Sequence, residues 1–238
     1  MSDNICIVLV NPSHPGNIGA TARAMKTMGL KDLTLVNPKV FPDMAATAMA
    51  AGADDILARA MVTNSLATAL TNIKIVFGTS ARTRYLSLKT LRPDQSAQII
   101  VRESKMSNVA ILFGRENNGL TNEELAMCNY QIHIPTAKNF GSLNIAAAVQ
   151  LIAYEIKIKQ DATKNTTTTL SSKEELASTK DVQSFFAHLE HTLTGIKFLN
   201  QNNQKRLMAK IKRLFNRAQL ETNEVSILRG ILTAIQSR

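Results

Sequence analysis

The stretch Ile132-His-Ile-Pro-Thr-Ala-Lys-Asn-Phe-Gly-Ser-Leu-Asn-Ile-Ala-Ala-Ala-Val-Gln-Leu-Ile-Ala-Tyr-Glu155 is the one around which the chain is organised. It begins inside a short strand expected over residues 130–134, which Pro135 breaks because it has no N–H to give to a ladder. A loop rich in Asn, Gly and Ser follows, and then an almost uncharged helix expected over residues 142–159. That helix is apolar nearly all round, which predicts that it is buried. Ser142 stands at its start, where a hydroxyl accepts from orphan backbone N–H groups. A strand, a polar loop and a buried helix N-terminus together form a place to hold a polar ligand.

The same alternation runs upstream. Continuous apolar runs at 4–10, 73–78 and 109–114 read as strands covered on both faces, with a shorter one at 33–36 and a brief one at 61–63. Helical patterns are expected at 18–28, 45–51, 54–59, 65–70 and 93–104, and at 121–128, where Thr121 and Glu124 have capping-box spacing. Strands alternating with helices specify an α/β fold, a mostly parallel sheet with helices on both faces. Residues 1–160 are read as this domain. Residues 161–172 (Asp-Ala-Thr-Lys-Asn-Thr-Thr-Thr-Thr-Leu-Ser-Ser) are polar and aperiodic, a linker. Residues 173–238 carry three apolar stripes and are expected to form a three-helix C-terminal domain. The second stripe is Leu207, Ile211, Leu214, Phe215 and Ala218; the third is Val225, Leu228, Ile231, Leu232 and Ile235.

The chain of 238 residues has a net charge of +10. Residues 1–160 hold 16 basic and 11 acidic residues and the remainder 12 and 7, so each part carries +5 although the second is half the size. Such a balance favours an anionic partner, nucleic acid first. Between Lys197 and Arg217 there are seven basic residues and no acidic one, and Arg206, Lys210, Arg213 and Arg217 recur at helical spacing as one stripe. No apolar run is long enough for a membrane helix. The first residues lack the basic-then-apolar order of a secretory signal, and Cys6 and Cys128 read as free thiols of a reducing cytosol. No metal is expected, since His188 and His191 have no further ligands nearby in sequence.

The Gly16-Asn-Ile-Gly19 turn lacks the third glycine and the acidic partner of a dinucleotide fingerprint. What stands out is three loops, each following a predicted strand: Gly78-Thr-Ser-Ala81, Gly114-Arg-Glu-Asn-Asn-Gly119 and residues 134–144. Ligands of open α/β sheets bind at such strand ends, and Gly78 and Gly114 are expected to let a flat ring approach the backbone.

These loops carry a resemblance. Phe113-Gly-Arg-Glu-Asn-Asn-Gly-Leu-Thr121 and Gly141-Ser-Leu-Asn-Ile-Ala-Ala-Ala148 resemble the two closing motifs of the SPOUT RNA methyltransferases, and Asn17-Ile-Gly-Ala-Thr-Ala-Arg-Ala-Met-Lys26 resembles their first. Leu35-Val-Asn-Pro38, Gly78-Thr-Ser-Ala-Arg82 and the helical tail are most similar to the TrmJ-type tRNA (cytidine/uridine-2′-O-)-methyltransferases. The resemblance implies a C-terminal trefoil knot, S-adenosylmethionine as cofactor, a homodimer in the cytoplasm, and methylation of the ribose of tRNA anticodon-loop nucleotide 32. It implies that Thr79, Ser80, Ala81, Gly114, Ile134, Gly141, Ser142 and Leu143 hold the cofactor, and that Arg23, Glu116, Ser142 and Asn144 are catalytic. Arg82, Arg84 and Arg115 would meet RNA beside the site. A sulfonium methyl needs no further activation, so such an enzyme must align a 2′-hydroxyl and help its proton leave. Arg23, always protonated, would stabilise the developing alkoxide rather than act as a base. A ribosomal RNA 2′-O-methyltransferase of the same fold and a non-catalytic basic RNA-binding protein are the rival readings.

Overall fold

A computed structural model describes residues 4–81, 88–164, 176–200 and 204–237. Its centre is a seven-stranded, wholly parallel sheet. In chain order the strands are β1 (Ile5–Val10), β2 (Asp32–Val36), β3 (Met61–Thr63), β4 (Ile75–Thr79), β5 (Lys89–Leu91), β6 (Val109–Phe113) and β7 (Tyr130–Ile132). Their spatial order is β3-β2-β1-β6-β4-β7-β5. The edge strand β5, with one apolar residue in Lys-Thr-Leu, gives no apolar run and is absent from the sequence expectation.

Alternation along the strands builds two cores. Ile5, Ile7 and Leu9 of β1 and Ile111 and Phe113 of β6 face one side. There they meet Ile18, Ala22 and Met25 of α1 (Pro15–Thr27), Ala97 and Ile100 of α5 (Pro93–Glu103), and Val149, Ile152 and Ile156 of α7 (Ile145–Lys164). Val8, Val10, Val76, Ala110 and Leu112 face the other side, against Leu66 and Ala69 of α4 (Leu66–Ala69) and Leu125 of α6 (Asn122–Leu125). The short α2 (Met44–Ala50) and α3 (Asp54–Ala58) complete this part. Each fully buried Ile or Leu is worth about 1.5–3 kcal/mol relative to exposure, so both faces of the sheet contribute to holding the strands in place.

α7 departs from expectation in three ways. It starts at Ile145, because Asn144 and not Ser142 caps it: Asn144 Oδ1 accepts from Ala146 N at 2.9 Å. It continues through residues 161–164, the first part of the segment read as a linker; the rest of that segment, residues 165–172, lies outside the described residues. It is also buried on one face only. Leu151 is 44% exposed, Tyr154 50% and Ile158 45%, an apolar stripe at helical spacing left uncovered among the described residues. The connection from β4 to β5 has to pass β7, which lies between them. Residues 82–87 of that connection are outside the described residues.

The C-terminal helices are α8 (Thr179–Gly195), α9 (Gln204–Ala218) and α10 (Thr222–Gln236). Phe185, Phe186, Val225 and Leu232 form their core, with Phe215 edge-on to Phe185 at 4.9 Å. The second and third expected stripes hold in part: Phe215 and Val225, Leu228 and Leu232 pack inward, whereas other members are exposed. On α9 the inward residues are Met208, Phe215 and Asn216, while Leu214 is 51% exposed. On α10, Ile231 and Ile235 are exposed beside the buried Val225 and Leu232.

These helices join the sheet through hydrogen bonds. Asn216 Nδ2 donates to Ala126 O at 2.6 Å, Tyr130 Oη to Gln219 Oε1 at 3.1 Å, and Thr179 N to Ile73 O at 2.8 Å. Every anchor on the sheet side precedes or begins β4 or β7, so the tail docks at the strands' N-terminal ends. Among the described residues no helix is long and apolar enough to cross a membrane, and no group of three His, Cys, Asp or Glu could hold a metal ion.

Candidate active site: a cleft at the strand ends

β6, β4 and β7 are neighbours in the sheet, so the loops after them meet. They enclose an open cleft of about 650 Å³, within the usual size range of small-molecule sites. Thr79, Ser80, Ala81, Gly114, Ile134, Gly141, Ser142 and Leu143 all line it, joined by His14 and Asn17 from the start of α1. The β4 loop is fixed by Ser80 N donating to Ile132 O at 3.0 Å and Thr79 Oγ1 donating to Leu112 O at 2.9 Å.

The glycines serve a different purpose from the expected one. A Cβ on Gly114 would lie 2.1 Å from the carbonyl carbon of Gly119 and 2.2 Å from Leu120 N. Its loop therefore closes on its own backbone there, helped by Gly119 at φ +67°. A Cβ on Gly78 would meet Cys128 Sγ and Leu125 Cδ2, both at 2.8 Å, on the core side of β4. Neither absence of a side chain makes room for a flat ring; both let protein meet protein.

Glu116 pins the cleft's far wall. Its carboxylate accepts from Ser13 N at 3.1 Å, Ser13 Oγ at 2.9 Å, His14 N at 3.3 Å and Asn17 Nδ2 at 3.0 Å. Burial pushes its pKa up, but hydrogen bonds from Asn17, its own backbone N–H and Ser13 outweigh that and hold it at about 2. The carboxylate oxygens are engaged by the start of α1, so this side chain positions Asn17 and the cleft wall in the single chain. Asn17 passes the constraint on: its Oδ1 accepts from Asn144 Nδ2 at 3.0 Å, and Asn144 in turn caps α7. Glu116, Asn17 and Asn144 thus tie three elements into one frame. An Asn directly before an apolar helical run is itself a cap signal, so this role of Asn144 was readable; its link to Asn17, 127 positions away, was not.

The arginines separate. Arg115 lines the cleft but its guanidinium forms a bidentate pair with Glu124, both contacts 3.0 Å, which commits the fork that RNA was expected to use. Arg23 is exposed on α1 and does not line the cleft of its own chain. Arg82 and Arg84 lie outside the described residues. Arg206, Lys210 and Arg217 are exposed on α9 and Arg213 is half-buried. At about 100° per residue, their stripe faces away from Met208 and Phe215.

Comparison with known proteins agrees with this geometry. The model of the SpoU rRNA methylase family matches residues 4–154, and that of the TrmJ tRNA methyltransferase C-terminal domain matches residues 180–238. The chain belongs to the SpoU methylase family, in its TrmJ branch. A Photorhabdus laumondii relative named tRNA (cytidine/uridine-2′-O-)-methyltransferase TrmJ is 45% identical over 99% of this chain and 98% of its own. A Pseudomonas aeruginosa relative, named tRNA (cytidine/uridine/adenosine-2′-O-)-methyltransferase TrmJ, is 44% identical over 99% and 95%. The crystal structure of TrmJ from Z. mobilis ZM4 superposes with a TM-score of 0.86, at 31% identity, over 97% of this chain and 98% of its own. The TrmJ branch therefore extends over both the sheet and the C-terminal helices.

Proposed function

We propose that this chain is an S-adenosylmethionine-dependent tRNA methyltransferase of the cytoplasm, acting on the ribose 2′-hydroxyl of cytidine or uridine at anticodon-loop position 32. The observation that carries this is the likeness over 99% of the chain to a protein named tRNA (cytidine/uridine-2′-O-)-methyltransferase, together with a cleft at the strand ends; position 32 is what the resemblance of the motifs implies. The cleft fits the cofactor: it offers main-chain donors and acceptors of three loops, apolar walls at Ile134, Leu143 and Ala148, and room for a nucleoside with an amino-acid tail. S-adenosylmethionine, when bound, supplies an already activated methyl group. The chain's own residues then have to place and deprotonate the hydroxyl. Ser142 and the second Nδ2–H of Asn144 orient it, Arg23 stabilises the oxygen as charge develops, and Glu116 keeps Asn17 and Asn144 in place.

Arg23 reaches a cleft through a homodimer. The exposed stripe of Leu151, Tyr154 and Ile158 lies on α7, which packs on α1, and a second copy covering it would set one protomer's Arg23 beside its partner's cleft. We read residues 1–160 as the knotted methyltransferase domain and 173–238 as an RNA-binding domain. In that domain Arg206, Lys210, Arg213 and Arg217 contact tRNA backbone, with Arg82 and Arg84 near the target. The test is to incubate the purified protein and S-adenosylmethionine with unmodified tRNA and map ribose methylation. A 2′-O-methyl group at position 32 is the expected product. Methylation of ribosomal RNA alone would move the reading to the same-fold rival, and no transfer at all would leave a binding protein.

A further inference from the structure

Phe140 is the most exposed of the eight phenylalanines, 82% accessible. Single exposed apolar side chains are common and by themselves carry no message. Two further features set this one apart. The first is rigidity: Phe140 N donates to Ala137 O at 3.1 Å, the two residues form an antiparallel bridge, and Thr136 Oγ1 donates to Gly141 O at 3.3 Å across the neck of the turn. A Cβ on Gly141 would sit 3.3 Å from that same Thr136 oxygen, so the neck is drawn tight. The second is position. The turn leads directly into Gly141, Ser142, Leu143 and Asn144, one wall of the cleft, and it carries the exposed Lys138 two residues before the ring.

We propose that Phe140 is a stacking platform for an unpaired nucleobase beside the nucleotide being methylated, with Lys138 meeting the adjoining phosphate. This rests on the tRNA reading above. A 2′-hydroxyl enters the cleft only if its nucleotide leaves the loop's stack, which frees a neighbouring base face. Single-stranded RNA is held in this way, by aromatic rings flanked by cations. The alternative occupants of an exposed ring at a cleft mouth are a second copy of the chain and the cofactor itself.

The experiment uses the full-length protein and an anticodon stem-loop RNA carrying 2-aminopurine next to the target nucleotide. Stacking on the wild-type ring quenches its fluorescence. Phe140→Ala is expected to abolish the quench and weaken RNA binding roughly 5- to 150-fold. Cofactor affinity and the mass of the oligomer should stay as in wild type. Phe140→Trp should restore both quench and affinity, and Lys138→Gln should weaken binding while keeping the quench. An unchanged quench in Phe140→Ala overturns the proposal. So does a loss that follows dissociation of the oligomer or weaker cofactor binding, or a failure of tryptophan to restore it. Because the quench reads binding without turnover, a wild-type protein that quenches yet methylates no RNA would count against the proposed activity and not against the platform.

Discussion

The cleft and the outer face of α9 lie at opposite ends of the same strands and depend on different physics. The cleft is built from backbone and short side chains, held by loops that close on Gly114 and by the Glu116, Asn17 and Asn144 frame. The face is built from long cationic side chains in solvent, aimed away from Phe215 and Met208. One should fail when geometry is disturbed, the other in proportion to the charges removed. β4, five residues long, separates them by about 17 Å, so an RNA touching both on one protomer must reach at least that far.

The largest effect is expected at Gly114. Its substitution by Ala should force Gly119 and Leu120 apart, destabilise the protein by about 1–3 kcal/mol and remove measurable cofactor binding. Thermal melts and calorimetric titration with S-adenosylhomocysteine check this. A Gly114→Ala protein with wild-type stability and affinity would show that the loop relaxes freely and that geometry does not govern the cleft.

Arg23→Ala comes next. Since Arg23 lies outside its own cleft, cofactor affinity should hold while methyl transfer at saturating tRNA falls ~10²–10³-fold. Mixing this variant with a Gly114→Ala subunit sharpens the point. If the cleft is completed across the dimer, heterodimers of the two regain part of the activity. If Arg23 serves its own cleft, they regain none.

The α9 face should respond in smaller, countable steps. Changing Arg206, Lys210, Arg213 and Arg217 to Gln should lower the salt slope of log tRNA affinity by roughly 0.7–0.9 for each phosphate that the protein no longer neutralises, with cofactor binding unmoved. Asn216 is buried and donates to Ala126 O, fixing the helix against the end of α6. Asn216→Leu should therefore weaken tRNA binding with the stripe intact, and add little once the stripe is already neutral. Full additivity in titrations of the double variant would show that the anchor does not orient the face.

How much of this was legible in the sequence follows the same division. Apolar runs and the spacing of Arg206 to Arg217 are local patterns, so the parallel sheet, the strand-end loops and the basic stripe could be read directly. Contacts between distant segments could not. The capping box of Thr121 and Glu124 is visible in the sequence, yet nothing local says that Glu124 also grips Arg115. Gly114 stands out at the end of its apolar run, but what a glycine makes room for depends on what folds back on it. The exposed side of α7 reads as buried because an apolar stripe has the same composition whether it faces the core or, like Leu151, Tyr154 and Ile158, lies exposed in the single chain.

The smallest expected effect, and the most specific, concerns pH and Glu116. Its folded pKa of about 2 lies below the ordinary 4.5, so the folded state binds the carboxylate form preferentially. The resulting stabilisation is fully present above pH ~4.5 and is lost as pH falls from there toward 2. Gln keeps the shape and one acceptor but removes the charge, so Glu116→Gln should cost about 1 kcal/mol at neutral pH, a charged hydrogen-bond set discounted for partial exposure. Below pH 4.5 that cost should shrink, because the wild type loses its own advantage there. The penalty in catalysis should follow the frame and not proton transfer. Activity of the variant at neutral pH should drop several-fold, and its pH–rate profile should keep the wild-type shape, since a group that titrates near 2 shapes neither limb. Chemical denaturation at several pH values and a pH–rate profile measure the two sides. A variant whose profile loses its alkaline or acid limb would mean that Glu116 handles the proton after all, and that the frame around Asn17 and Asn144 is part of the chemistry and not only its support.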